Sequence, residues 1–215
     1  MEPFCRVTGP AAPLARDNVD TDVIIRIERL AELDRDALGS YAFEALRYRP
    51  DGSEDPDFIL NQVAYRDAPI LLAGENFGCG SSREGAVWAL AGCGIRCVIA
   101  KSFGGIFANN CYQNGVLPIA LSGSCVDALT MRALDRQGAA FTVDLDAKTI
   151  APPGGEPITF SIDGLRRRAL LAGLDDLGLT LQITDAIGSF QQRDRIARPW
   201  IWQRSLLPNA PGNKR

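Results

Sequence analysis

The segment 74–84, with the sequence GENFGCGSSRE, holds the side chains most suited to chemistry. The apolar run 69–73 before it predicts a buried strand, and the apolar residues after it recur at helical spacing. Ser81 and Glu84 have the spacing of a capping box, which predicts a helix that begins at Ser82. A glycine loop that ends at a helix N-terminus favours an anion, because unpaired N–H groups and the positive end of the helix dipole meet there.

Arg83 places a guanidinium in the first turn of this predicted helix, where acidic residues are normally preferred. One interpretation is that Arg83 grips an anionic ligand. The other is that it pairs with a carboxylate elsewhere in the chain and that the glycine loop is a tight turn. Short glycine motifs often lack a function, so the residues alone leave both interpretations open.

The composition indicates a soluble protein without affinity for nucleic acid or membranes. The 215 residues include 23 Lys and Arg against 26 Asp and Glu, a formal charge of -3, and nothing in this balance points to nucleic acid or anionic lipid. No apolar run approaches the roughly 20 residues of a membrane helix, and the first ten residues lack the basic and apolar regions of a leader. We therefore expect a cytoplasmic protein.

The absence of histidine removes several kinds of site from this chain. Ser-His-Asp and Cys-His catalysis and histidine metal ligands are excluded, so proton transfer must use another residue or a group on a partner. The six cysteines show no CxxC spacing, which predicts reduced, mostly packed thiols and no metal site.

Three apolar segments that alternate with helical segments predict a parallel α/β layer over residues 69–121. The strands of this layer are expected at 69–73, 96–100 and 116–121. Added strands of an antiparallel unit are expected within 141–162. Lys101 follows the second parallel strand, at the sheet edge where open α/β proteins place ligands.

The first fifty residues are expected to contain two further strands, at 4–9 and 23–25, and a helix over 31–48. Between the two strands lies the acidic cluster DNVDTD at 17–22. A hard cation is one possible ligand for its carboxylates, but the spacing is not that of a calcium loop. Asp and Asn side chains that bond to nearby backbone are the favoured interpretation.

Three segments together, DNVDTDVII, NFGCGSSRE and VIAKSFGGIFANN, resemble the small-subunit family of 3-isopropylmalate dehydratase, the separate-chain counterpart of the swivelling domain of aconitase. The resemblance runs from about Val7 to about Ile187, in the family's order. It implies a swivelling β/β/α domain, with a mixed sheet and flanking helices. We place this domain at residues 1–190, followed by a partly disordered C-terminal tail at 191–215.

The resemblance also implies an activity, that of a hydro-lyase which isomerises 2-isopropylmalate and 3-isopropylmalate through 2-isopropylmaleate in leucine biosynthesis. Ser81 matches the catalytic base, Arg83 matches the arginine that grips a substrate carboxylate, and Ser82 would assist in binding. Five residues are expected to shape the site, either from the resemblance or from their place in the loop and sheet: Asp20, Thr21, Gly78, Gly80 and Lys101.

The Lewis acid of such a reaction is expected on a partner. In the family a 4Fe-4S cluster lies on the large subunit, so this chain would bind no cofactor and no metal itself. It would act on a small dicarboxylate only within a heterodimer or heterotetramer.

The segment 26–29 departs from the family pattern, since Arg26 replaces a proline and Arg29 replaces an aromatic residue. This loop helps to select the substrate side chain in the family, so Arg26 and Arg29 are candidate substrate-binding residues. The departure leaves open a related dehydratase for another diacid, such as dimethylmalate, citraconate or methylmalate, or homoaconitate. A non-catalytic anion-binding module is a further alternative.

Overall fold

A computed structural model describes residues 1–81 and 83–202. The chain divides into two compact units, Met1–Asp176 and Leu177–Arg215. None of the helices in the described residues is long and apolar enough to cross a lipid bilayer.

The first unit is built on a seven-stranded mixed sheet, in the order β4-β3-β2-β1-β5-β6-β7. The pairs from β1 to β4 are parallel, and those from β1 through β5 and β6 to β7 are antiparallel. The strands are β1 (Arg6–Leu14), β2 (Ile70–Ala73), β3 (Cys97–Ala100), β4 (Leu117–Ala120), β5 (Ala140–Asp144), β6 (Thr149–Ala151) and β7 (Ile158–Thr159). The predicted mixed sheet with flanking helices is confirmed.

The sheet carries helices of the first unit on both faces. They are α1 (Thr21–Ile24), α2 (Ile27–Glu32), α3 (Glu44–Arg47), α4 (Glu84–Gly92), α5 (Gly105–Gln113), α6 (Gly123–Asp135) and α7 (Gly164–Ala172). Leu71 and Val98 face a core with α4 and α5, whereas Ile70 and Ile99 face a second core with α6 and α7. Burial on both faces explains why β2 and β3 are apolar at every position.

The first strand is longer than the sequence predicts and runs through two prolines. β1 covers Arg6–Leu14 instead of 4–9, and it includes Pro10 and Pro13. Its first half pairs with β5 through Pro10, and its second half pairs with β2 from Ala11 onward. Each half therefore has one strand partner, and proline is tolerated where one side of a strand needs no N–H donor.

Two other expectations for the first fifty residues are wrong. Residues 23–25, predicted as a strand, lie at the end of α1, because the Asp20 carboxylate caps this helix by accepting a 2.7 Å hydrogen bond from the Val23 N–H. The single helix predicted over 31–48 is divided into α2, a 3-10 helix at Arg35–Tyr41 and α3. Phe43 has the left-handed φ of 59° between the last two, which interrupts the helical path.

The described part of the second unit is helical, with α8 (Asp176–Leu181) leading into α9 (Thr184–Ala197) and α10 (Pro199–Trp202). The Asp194 carboxylate accepts hydrogen bonds from Arg198 Nε (2.6 Å) and Trp202 Nε1 (2.8 Å), which join α9 to α10 and hold the pKa of Asp194 below its usual range. The division predicted after residue 190 falls inside α9, and the part of the predicted tail at 203–215 lies outside the described residues.

Tyr65→Phe should lower the free energy of unfolding by about 1–2 kcal/mol. Tyr65 is 1% exposed, and its hydroxyl donates a 2.7 Å hydrogen bond to the Ala133 carbonyl in the last turn of α6. The substitution leaves that carbonyl without its partner. Urea unfolding followed by circular dichroism measures the change. Tyr41→Phe is the matched control, since the Tyr41 hydroxyl bonds to no other described residue; equal losses in the two variants would contradict the assignment.

Candidate functional site

The loop between β2 and α4 is held by Val19 and by Thr21, the first residue of α1. The Gly78 N–H donates to the Val19 carbonyl (2.7 Å), and the Thr21 N–H donates to the Cys79 carbonyl (3.0 Å). The Thr21 hydroxyl, on a residue that is 1% exposed, donates to the Ser81 carbonyl at 2.9 Å. Two segments about sixty residues apart in the chain are thus joined by three hydrogen bonds, which fixes the path of the loop.

Gly78 and Gly80 both have positive φ, at 72° and 85°. A side chain at Gly78 would overlap the ring of Phe107, and one at Gly80 would lie 3.3 Å from the Asp20 Cβ. Both positions therefore require glycine, Gly78 for space and conformation and Gly80 for conformation. The structure places Gly80 beside Asp20 and bonds Gly78 to the neighbouring Val19, and the site-shaping role of these residues stays a prediction.

The predicted capping box is wrong. α4 begins at Glu84, and Arg83 occupies the cap position with extended backbone and no side-chain cap hydrogen bond. The Arg83 N–H donates a 2.8 Å hydrogen bond to the Ser81 carbonyl, which closes a tight turn immediately before the helix begins. The Ser81 hydroxyl is consequently exposed and makes no hydrogen bond to another described residue, Ser82 being outside that part of the chain. Its oxygen is available for a ligand.

Arg83 contacts the carboxylate of Asp22 in the first turn of α1. The Arg83 side chain is 19% exposed, against 54% for Asp22, so Arg83 is the more buried partner of this pair. Pairing with a carboxylate is one of the two interpretations that the sequence leaves open for Arg83. It does not exclude the other, because a guanidinium has five N–H donors and one carboxylate cannot use them all.

Arg29 is committed to contacts within the first unit. Its guanidinium donates to Glu44 (2.6 Å) and Glu32 (3.2 Å) and lies 4.4 Å from the centre of the Tyr41 ring. The hydrogen bond from Arg29 is the main reason why the pKa of Glu44 is below its usual range. These contacts use three of the five N–H donors of Arg29, and the substrate-binding role of Arg29 stays a prediction.

Arg26 is exposed and makes a looser ion pair with Glu28 at 3.5 Å. It lines an open cleft of about 720 Å³ together with the rings of Tyr41 and Tyr48. Neither Ser81 nor Arg83 lines this cleft. The structure therefore places Arg26 in a depression that neither Ser81 nor Arg83 lines.

The segment that follows β3 runs alongside the glycine loop. The Phe77 N–H donates to the Ser102 carbonyl (3.0 Å), and the Gly104 N–H donates to the Phe77 carbonyl (2.9 Å). Lys101 in this segment forms a 2.8 Å ion pair with Asp127, which is the main cause of a raised pKa for Lys101. The charge of the Lys101 ammonium group is thus balanced by a carboxylate on α6.

The acidic cluster at 17–22 bonds to backbone, as the sequence predicts. Asp17 accepts a 2.6 Å hydrogen bond from the Glu75 N–H, and Asp20 caps α1. No group of three or more His, Cys, Asp or Glu side chains among residues 1–81 and 83–202 is arranged to hold a metal ion.

Asp22 is the functional candidate that sequence reasoning missed. It belongs to the acidic cluster, but nothing in the spacing joins it to Arg83, which lies sixty-one residues further on. An acidic residue two positions after a capping Asp predicts the first turn of a helix, and that signal alone did not indicate its partner.

The fold and loop define a class of protein: an α/β domain that presents a hydroxyl and a guanidinium beyond the carboxyl end of a parallel strand, suited to binding a carboxylate-bearing ligand. Residues 1–124 match the model of the aconitase C-terminal domain family. Among curated relatives, the 3-isopropylmalate dehydratase small subunit of Rhodospirillum centenum is 53% identical, with alignment over 93% of this chain and 98% of the relative. That of Roseobacter denitrificans is 51% identical over 94% of this chain and all of the relative.

Among solved structures, 3-isopropylmalate dehydratase (leuD) from Methanocaldococcus jannaschii is 32% identical and has a TM-score of 0.63, covering 86% of this chain and 99% of that chain. This chain belongs to the family of 3-isopropylmalate dehydratase small subunits, within the aconitase C-terminal domain group.

Thr21→Val should speed hydrogen exchange in the glycine loop about fivefold, because it removes a hydrogen bond worth about 1 kcal/mol without changing the size of the side chain. The lost bond is that from the Thr21 hydroxyl to the Ser81 carbonyl. Mass-spectrometric exchange of a peptide that spans residues 76–84 measures it. Thr21→Ser keeps the hydroxyl and should exchange at the wild-type rate; similar exchange in both variants would show that the bond does not hold the loop.

Glu44→Gln should reduce the loss of stability in acid. Because the folded pKa of Glu44 is lowered, its pair with Arg29 contributes stability above the unfolded pKa of about 4.3, and this contribution is lost as pH falls through the lower folded pKa. The stability difference between wild type and Glu44→Gln should therefore shrink between about pH 5 and pH 3. Urea unfolding at several pH values measures it, with Glu156→Gln as the control at an exposed site that has no ion pair among the described residues. A constant difference would contradict the assignment.

Proposed function

We propose that this chain contributes Ser81 and Arg83 to the active site of a heteromeric 3-isopropylmalate dehydratase. Family membership makes the chain a subunit of a hydro-lyase of leucine biosynthesis. The observation that carries the residue assignment is the exposed Ser81 hydroxyl, free of capping, at the end of a loop whose next described residue is the half-buried Arg83. A site with these groups suits a substrate that bears a carboxylate beside an acidic C–H bond.

Ser81 is the proposed base for the proton on carbon. A serine hydroxyl is a weak base unless its alkoxide is stabilised, and neighbouring N–H donors with a nearby guanidinium provide that stabilisation. No side-chain cap hydrogen bond is made at the start of α4. A ligand that binds the first N–H groups of this helix would therefore not compete with a capping side chain. Ser82 is proposed to assist in binding, from its place in the sequence.

Arg83 is the proposed carboxylate grip, and Asp22 its holder. With one edge of the guanidinium on Asp22, the remaining N–H donors can bind a substrate carboxylate in a fixed plane. Asp20, Thr21, Gly78 and Gly80 hold the loop, and Lys101 supports the neighbouring segment through Asp127.

The remaining chemistry is assigned to a large subunit. A 4Fe-4S cluster on that partner would act as the Lewis acid for the substrate hydroxyl. This chain binds and orients the carboxylate and accepts the proton at Ser81 Oγ. Its activity therefore depends on assembly, as a heterodimer or a heterotetramer, in the cytoplasm.

The substrate is proposed to be isopropylmalate. The named relatives in three organisms support this choice over a smaller methylated diacid, homoaconitate or a non-catalytic module. The unusual Arg26 and Arg29 do not oppose it, because Arg29 is neutralised by Glu44 and Arg26 lines a cleft away from Ser81 and Arg83.

Hydration of 2-isopropylmaleate by this chain mixed anaerobically with its cognate large subunit tests the proposal. Ser81→Ala should lower kcat at least about 100-fold, since it removes the proton acceptor. Arg83→Lys should raise KM about tenfold or more, since an ammonium cannot reproduce bidentate carboxylate binding. Steady-state rates at saturating and limiting substrate separate the two effects.

Ser124→Ala, at an exposed position on α6, is the control and should retain wild-type rates. Activity on a smaller methylated diacid but not on 2-isopropylmaleate would overturn the substrate. Unchanged rates in Ser81→Ala and Arg83→Lys would overturn the site.

A further inference from the structure

Asn114 follows the last residue of α5. Its side-chain amide forms hydrogen bonds to the 3-10 helix at Arg35–Tyr41, to α4 and to α5. Its Oδ1 accepts hydrogen bonds from Arg35 Nη2 (2.9 Å) and Trp88 Nε1 (3.0 Å). Its Nδ2 donates to Glu84 Oε1 (2.8 Å) and to the Asn110 carbonyl (2.9 Å). Two acceptor and two donor positions of one amide are therefore filled.

The partners of Asn114 fix which way its amide points. Arginine and tryptophan side chains can only donate, so they must face the oxygen. The nitrogen is then left for Glu84 and the Asn110 carbonyl, both of which are acceptors. The guanidinium of Arg35 also lies 5.1 Å from the Trp88 ring, which steadies that pair. Asn114 is a rigid donor directed at Glu84.

Glu84 is the first residue of α4, and its neighbour Arg83 is the proposed carboxylate grip. The helix start has no side-chain cap hydrogen bond, so its direction is set by other contacts. The exposed Glu84 side chain would be free to rotate without a partner, and Asn114 gives it one from α5. The hydrogen bond thus ties the first turn of α4 to the end of α5.

We propose that Asn114 is a positioning residue for substrate binding: through Glu84 it sets the first turn of α4 and so the direction of the Arg83 guanidinium. The inference rests on the proposed function, since it concerns how that site holds a carboxylate. Asn114 acts through Glu84 and is not itself in contact with the substrate.

Substrate kinetics of the enzyme assembled from both subunits test the inference. Glu84→Ala should raise KM for 2-isopropylmaleate about tenfold, with kcat changed less than about threefold, because the base Ser81 is held separately by Thr21. Glu84→Gln is the matched control: its amide oxygen still accepts from Asn114, so KM should stay near wild type. A merely structural contact would lower the melting temperature and leave KM unchanged.

Asn114→Asp tests the same hydrogen bond from the Asn114 side. It keeps the acceptor for Arg35 and Trp88 but turns an oxygen toward Glu84, and should raise KM as Glu84→Ala does. Adding Glu84→Gln to Asn114→Asp restores a donor and acceptor pair with reversed direction, and KM should fall again by at least about threefold. Circular dichroism of each variant confirms folding.

Arg83→Lys in the same assay distinguishes failure of the positioning role of Asn114 from failure of the proposed carboxylate site. If it raises KM while Glu84→Ala and Asn114→Asp do not, the positioning role is overturned and the site stands. If Arg83→Lys itself leaves KM unchanged, the proposed function of the site fails first.

Discussion

Three hydrogen bonds between residues 19–21 and 78–81 are the constraint on which the site depends. They join the start of α1 to a loop that has two glycines with positive φ and would otherwise have many conformations. The Ser81 carbonyl accepts two hydrogen bonds, one from the Thr21 hydroxyl and one from the Arg83 N–H. With its backbone fixed in this way, Ser81 presents its side chain to solvent, and α4 starts two residues later than the capping signal indicates.

Three of the four cations that the sequence singles out as site residues form close ion pairs within the first unit. Arg83 pairs with Asp22, Arg29 with Glu44 and Lys101 with Asp127. The site is therefore not a pool of positive charge that would attract any anion. A ligand gains mainly from donors left over by these pairs, whose directions are fixed, so recognition depends on geometry more than on net charge. In the proposed function, these donors hold a small dicarboxylate in one orientation.

The parallel layer was predictable because each of its strands is a short, wholly apolar run and its helices repeat locally. The same reasoning failed between Thr21 and Arg47, where tertiary contacts outweigh local preference. Thr21, at the start of a β-branched stretch, bonds to Cys79 and Ser81 in the glycine loop, which holds this stretch as α1, and Phe43 adopts a left-handed conformation in the core. In the site, the residue types of Ser81 and Arg83 were identifiable from spacing and resemblance. Thr21 was identifiable as a site-shaping residue from the resemblance. The pairing of Asp22 with Arg83 was not, because a contact across some sixty residues leaves no periodic signal.

β1 lies in the middle of the sheet but precedes both of its strand partners in the chain, β2 by more than fifty residues and β5 by more than a hundred. During synthesis it is an apolar segment whose ladder groups stay unsatisfied until distant parts of the chain arrive, a state open to pairing with other nascent chains. Pro10 and Pro13 remove two N–H donors from that ladder. The two prolines that the native sheet tolerates thus reduce the number of hydrogen bonds that β1 can make to another chain before β2 and β5 have been synthesised.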